Sequence, residues 1–208
     1  MTAPRRPPGG GQARAERSRQ AVIDEAVRYI LKEGFAPPSV RQITERAGLT
    51  WGVVQYHFGD LNGILMAVLD KGFADLLETL DQLPAQAAQI PSQDRPAFVV
   101  DAVWRAFSSP TSMAALEILI ATRSARTAKA NAHLAAMTAR MTEIGEHLGA
   151  GVAPAQAKRL GNLIWATIRG LVAVQLTWPK PLDSTRDREM LAEVITAYLA
   201  STEGDSCL

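Results

Sequence analysis

Side chains able to make directional hydrogen bonds crowd into residues 39–58, SVRQITERAGLTWGVVQYHF. The Gln55 amide can bond in a pair to adenine N6 and N7, and Val53 can pack against a thymine methyl. Thr50, Tyr56 and His57 can donate to phosphate oxygens, as can Ser39 and Arg41 a few residues earlier. Gln42 and Trp51 complete this group. It combines groups that read base edges with groups that only position a phosphate backbone, and both must lie on one rigid edge.

The elements that would supply that edge are two short helices. Val40, Ile43 and Ala47 recur at helical spacing and leave Arg41, Gln42, Glu45 and Arg46 on the opposite side. Ser39, after Pro37-Pro38, can cap the first helix, and Gly48 stands where a positive φ is wanted. Leu49 points inward and Thr50 is a second N-cap candidate. It opens a helix in which Val54 and Phe58 are core. Helix, glycine turn and second helix make a helix-turn-helix, whose second helix can enter a major groove.

The stretch GFAPPSVRQITERAGLTWGVVQYHFGDLNGIL resembles the N-terminal signature of TetR-type (TetR/AcrR) transcriptional regulators, most closely over 19–69. Gly34-Phe35, Ala47-Gly48, Gly52 and Phe58-Gly59 carry the likeness. Gln55 stands where the family often has tyrosine, and Leu61 where a phosphate-touching lysine is common. The resemblance implies a homodimeric, ligand-responsive regulator, most often a repressor, on a palindromic DNA operator. It also implies that the last two helices of each subunit form a four-helix dimer interface.

The chain has 208 residues, 47% of them hydrophobic, enough for a sizeable core. No apolar run reaches about 18 residues, so no membrane span is expected. The arginine-bearing start has no apolar stretch behind it and does not read as a secretory signal. With Cys207 the only cysteine, a cytoplasmic setting fits. Residues 1–60 hold nine Lys/Arg and six Asp/Glu, a net +3, whereas 61–208 hold thirteen and fifteen, a net −2. The positive end coincides with the helix-turn-helix, as phosphate neutralisation requires.

Three parts are expected. Residues 1–13 read as a disordered basic tail, in which Arg5 and Arg6 either reach a minor groove or merely solubilise. Residues 14–62 form the helix-turn-helix unit, beginning with a helix over 14–32 that Gly34 stops. Residues 63–208 form a larger helical unit for ligand binding and dimerisation. A connector helix over 64–83 ends near Pro84, and a loop spans 84–96. Helices are then predicted over 97–107, 111–122, 128–148, 154–178 and 185–200. No stretch alternates as a strand should. The fold class is all-α, with about nine helices.

Two surfaces compete for the apolar residues of the larger unit. Trp104, Phe107, Met113, Met137, Met141 and Trp165 suit an adaptable ligand cavity, with Glu117, Asn162 and Arg169 as polar groups. A small apolar or amphipathic ligand would fit. The same large residues would also serve as plain core, and Glu117 would then pair with Arg123 or Arg169. Ala157, Gly161, Ile164, Ile168 and Leu171, with Leu191, Val194 and Tyr198, are candidates for the dimer interface; burial within one subunit is the alternative.

Enzyme chemistry finds no support. Glu143 and His147 are four residues apart but lack a third metal ligand at a recognisable spacing. Gly9-Gly10-Gly11 precedes no strand, so it is no phosphate loop. No cofactor or metal is expected. Gln55 and Leu61 leave one alternative open, a helical binding or scaffolding protein without DNA recognition.

Overall fold

A computed structural model describes residues 10–34, 39–125, 128–148, 152–178 and 180–205. Arg5, Arg6, Phe35, Pro37, Pro38, Pro179 and Cys207, with most of the basic tail, lie outside the described residues. Nine α-helices and no strand occur among the described residues. They are α1 (Gly10–Glu33), α2 (Val40–Arg46), α3 (Trp51–Phe58), α4 (Leu61–Ala87), α5 (Arg95–Phe107), α6 (Pro110–Ala121), α7 (Ala128–Glu146), α8 (Pro154–Thr177) and α9 (Thr185–Asp205). A short 3-10 turn, Arg123–Ala125, precedes α7.

The first three helices form for local reasons. In α1, Val22, Ile23, Ala26, Val27 and Ile30 are buried on one face, and Gly34 ends the helix at φ +72°. The helix begins at Gly10, so residues 10–13 are helical rather than tail. The Ser39 hydroxyl accepts from the Gln42 N–H at 3.4 Å, capping α2 as expected. Gly48 takes φ +67°, the left-handed turn that a β-carbon would strain. The one deeply buried carboxylate here is Glu25 of α1, which pairs with Arg28 at 2.7 Å and faces Arg46 of α2 at 3.9 Å.

Helix α4 is the spine. Asp60 caps it by accepting from Gly63 N–H at 3.0 Å, and its buried face runs from Ile64 to Ala87. It passes through Pro84 instead of stopping there, since a proline in the last turn forfeits one hydrogen bond with only three residues left. Packing partners of α4 include α1 and α3 at one end and α5, α6 and α7 along its length. The buried side chains form one continuous cluster from Val22 to Ile195.

The most extensive helix pairing joins α7 to α8. Met137, Met141, Ile144 and Leu148 form the seam of α7 and its C-terminal turn. Ala157, Leu160, Gly161, Ile164, Ile168 and Val172 form the buried face of α8. This corrects the dimer assignment of Ala157, Gly161, Ile164 and Ile168, which are enclosed within the subunit. The helices approach through glycine: a β-carbon on Gly161 would lie 2.1 Å from the Met141 carbonyl oxygen, and one on Gly145 would lie 2.0 Å from that of Ala157. Leu191 is also buried, and Leu171 and Tyr198 are half-buried against the core. Only Val194 of that set is open, at 49% exposure. Helix α8 is long and apolar enough, by length and composition, to cross a membrane, which the absence of long apolar runs did not anticipate. Its inner face packs inside the bundle and Lys158, Arg159, Asn162 and Arg169 are exposed along it, which is the pattern of a packing helix.

Candidate nucleic-acid interface and the cavity behind it

Helix α3 is anchored by a single fully buried side chain, Val54. Successive residues turn by about 100°, so Gly52 and Tyr56 face directly away from the core. Tyr56 is 83% exposed, and a β-carbon on Gly52 would meet nothing within 4 Å. Trp51 and Gln55 flank that outward line on one side, Val53 and His57 on the other. Trp51 (47% exposed) shares a hollow with Val40, Arg41, Thr44 and Leu49 of the α2 side. Thr50, Val53, Tyr56 and His57 instead line a groove with Arg14 and Ser18 of α1. Gln55 is exposed between the two concavities. The helix thus presents one ridge and two flanking grooves.

Several predicted groups have prior commitments. Arg41 donates to Glu45 at 2.8 Å, and this hydrogen bond raises the guanidinium above its ordinary range. A phosphate would have to share Arg41 with Glu45. Ser39 commits one lone pair to the cap but keeps its O–H to donate, and Gln42 keeps an exposed amide. Thr50 holds the N-cap position of α3 with no side-chain capping bond, which leaves its hydroxyl for another partner. Phe58 is half-buried against the core, with the Arg19 guanidinium 5.8 Å from its ring centroid. Leu61 likewise packs against the core.

Arg14 and Ser18 were not among the predicted contacts. Gly11, Arg14, Ala15 and Ser18 recur at helical spacing along one edge of the apolar stripe of α1, Ala15 and Ser18 standing seven and four residues before Val22. Arg14 and Ser18 both lie inside the helix predicted over 14–32, and which edge of that helix faces α3 is a tertiary relationship that spacing does not give.

A cavity of about 110 Å³ lies between α4, α6 and α8. Of the predicted ligand residues, it is lined by Phe107, Trp165 and Arg169. The Phe107 and Trp165 rings meet edge to face at 5.1 Å, and the Arg169 guanidinium stands 5.0 Å from the Trp165 ring centroid. The other predicted ligand residues go elsewhere. Met137 and Met141 are core seam, Met113 packs half-buried outside the cavity, and Asn162 is exposed. Trp104 lies under Arg188 of α9, 5.1 Å from its guanidinium. The Glu117 carboxylate sits at the α1–α6 contact, with Oε1 3.8 Å from where a β-carbon on Gly34 would be. Glu143 is engaged by Arg140, and His147 Nδ1 lies 2.9 Å from the Glu143 carbonyl oxygen.

No family model matches the chain. Over 57 residues it is 39% identical to the HTH-type transcriptional regulator SrpR of Pseudomonas putida, a stretch covering 27% of this chain and 27% of that regulator's length. In fold it matches a TetR/AcrR-family transcriptional regulator from Aquifex aeolicus, with a TM-score of 0.61 and 13% identity across 87% of this chain and 99% of the other. It also matches the regulator FadR of Bacillus subtilis, solved with stearoyl-CoA, with a TM-score of 0.60 and 15% identity over 85% and 97% of the two chains. The architecture is the TetR/AcrR fold, an N-terminal helix-turn-helix carried on a helical bundle.

Proposed function

We propose that the chain is a homodimeric, ligand-responsive transcriptional regulator, acting as a repressor, that binds a palindromic DNA operator through α3. Residues 14–62 would form the DNA-binding unit and 63–208 the ligand-binding and dimerisation unit. The observation that carries this reading is the α3 ridge of Gly52, Tyr56 and Gln55 between two grooves edged by Arg14, Ser18 and Arg41. Gln55 would read a base edge and the groove residues would hold phosphates, a division of labour that fixes register before sequence.

Dimerisation would use the faces of α8 and α9 left open by the subunit. Leu163, Val174 and Trp178 are exposed on and just after α8, and Met190 and Val194 on α9. Leu163, Gly170 and Val174 follow one another at seven and four residues, and Met190, Val194 and Ala197 at four and three, spacings that keep one stripe on one side of a helix. Gly170, with open space where a β-carbon would be, would allow close approach of the partner helix.

Signalling would run along α4. Gly72 and Phe73 of α4 line the cavity, and nine residues upstream Gly63 lies against the last turn of α3. A β-carbon on Gly63 would be 1.8 Å from the Phe58 carbonyl oxygen, so the two backbones are in contact. A ligand that binds one position of α4 better than another would therefore move α3, because it shifts the equilibrium by its differential affinity. A gel shift with the DNA upstream of the protein's own gene tests the reading. A shifted, competitor-resistant band supports it, and binding indifferent to sequence would leave only a scaffold.

A further inference from the structure

The cavity between α4, α6 and α8 has a chemical polarity as well as a size. Its floor is hydrocarbon and aromatic, with Phe73 and Val172 buried and the Phe107–Trp165 edge-to-face pair forming one wall. Among the described residues, not one carboxylate lines it. Among the described lining residues the single charge is Arg169, which is exposed, as is Ile120. Arg169 forms no ion pair among the described residues, and its guanidinium lies over the Trp165 ring. That contact engages none of its N–H groups, which suit a planar, bidentate acceptor. The one other polar side chain among the described lining residues is Ser112, which is buried. Its oxygen accepts from the Ser109 hydroxyl at 2.9 Å, which leaves its own O–H and one lone pair. Both polar side chains can donate, and one is cationic.

Size narrows the ligand further. A volume of about 110 Å³ falls below the roughly 300–1,000 Å³ of ordinary ligand pockets. It is nearer to the ~150 Å³ apolar cavity that accepts benzene. A single ring or a short branched chain fills such a space, whereas a long acyl chain exceeds it.

We infer that this cavity takes a small monocarboxylate built on one aromatic ring or a short branched hydrocarbon, with its carboxylate on the Arg169 guanidinium. This rests on the ligand-responsive reading of the same cavity. Burial of the body in the Phe107–Trp165 wall provides affinity, and Arg169 selects the anion over a neutral or cationic isostere.

Isothermal titration calorimetry on the full chain tests this with benzoate, benzamide, benzylamine and decanoate, which vary head charge at constant ring and then chain length. Benzoate is expected to bind at least about tenfold more tightly than benzamide, the worth of a charge-assisted hydrogen bond, with benzylamine and decanoate weaker still. Arg169→Gln should equalise benzoate and benzamide without lowering the unfolding temperature, and Arg169→Lys should keep part of the preference. The assignment is overturned if benzamide equals benzoate, if decanoate binds best, if Arg169→Gln binds benzoate as wild type does, or if none of the four binds. Operator affinity measured in the same samples separates the parent reading. Benzoate binding with the expected preference but no effect on DNA would overturn the coupling and leave the ligand class standing.

Discussion

Gly161 of α8 lies against the main chain of Met141 in α7, so close that a β-carbon at 161 would sit 2.1 Å from the Met141 carbonyl oxygen. The pairing of α7 with α8 depends on that approach. Gly161→Ala should therefore destabilise the single subunit, by about 1–3 kcal/mol as overpacking commonly does. Urea unfolding should show a lower midpoint with the association state of the folded fraction unchanged. A dissociated but equally stable protein would instead place Gly161 at a subunit interface.

Gly52 gives the opposite case. It is exposed in the first turn of α3 and open space surrounds the site of its absent β-carbon, so nothing in the fold demands glycine. Gly52→Ala should raise stability by about 0.5–1 kcal/mol through the unfolded state and helix propensity, yet weaken DNA binding by obstructing the outward ridge. Stability gained with DNA affinity unchanged would show that this ridge does not meet a partner closely.

How much of this was legible in the sequence follows from the range of the interactions involved. The α2 cap at Ser39, the left-handed Gly48 and the inward Val54 depend on neighbours within a few residues, and all three could be read in advance. The α7 seam of Met137, Met141, Ile144 and Leu148 was legible as a buried stripe, but not which surface buries it. Periodicity identifies an apolar face without naming its partner, so Gly161 and Ile164 were equally good candidates for an interface between subunits or within one. The buried carboxylate was expected at Glu117 because it interrupts an apolar run. The structure buries Glu25 instead, where Arg28 one turn on and Arg46 of another helix surround it. Only the second of those partners is beyond sequence reach.

The proposed dimer face predicts a clean separation of association from folding. Val194 is 49% exposed in the subunit, so Val194→Asp costs little there, whereas an unpaired charge in an apolar interface costs several kcal/mol. Sedimentation equilibrium should find a folded monomer that no longer binds operator. A dimer of wild-type strength would assign the exposed faces of α8 and α9 to something else.

The α4–α7 contact should depend on pH. Asp70 accepts from Lys129 at 2.5 Å and from His133 Nε2 at 3.0 Å, and the His133 ring stacks on Phe73 at 4.6 Å. Burial pushes the Asp70 carboxyl upward, but the hydrogen bonds from Lys129 and His133 outweigh it and hold the group below the ordinary carboxylate range. A depressed folded value means stability that is present above the unfolded value and lost as pH falls through the lower, folded one. Asp70→Asn should cost roughly 0.5–1 kcal/mol near neutrality, as partly exposed pairs do. The difference between the two proteins should close as pH falls through and below the carboxylate range, about 4. An equal difference at both ends of that range would show that charge is not what joins α4 to α7 here.

The central claim is that α3 reads DNA, and fluorescence anisotropy tests it most directly. A labelled duplex from upstream of the protein's own gene would be titrated beside an unrelated duplex of equal length, with wild type, Gln55→Ala and Arg14→Ala. Wild type should prefer the upstream duplex by about a thousandfold or more. Gln55→Ala should lose roughly 1–3 kcal/mol at one base position, and Arg14→Ala should weaken both duplexes alike and reduce the salt dependence. Equal affinity of wild type for the two duplexes, unchanged in both variants, would contradict the account.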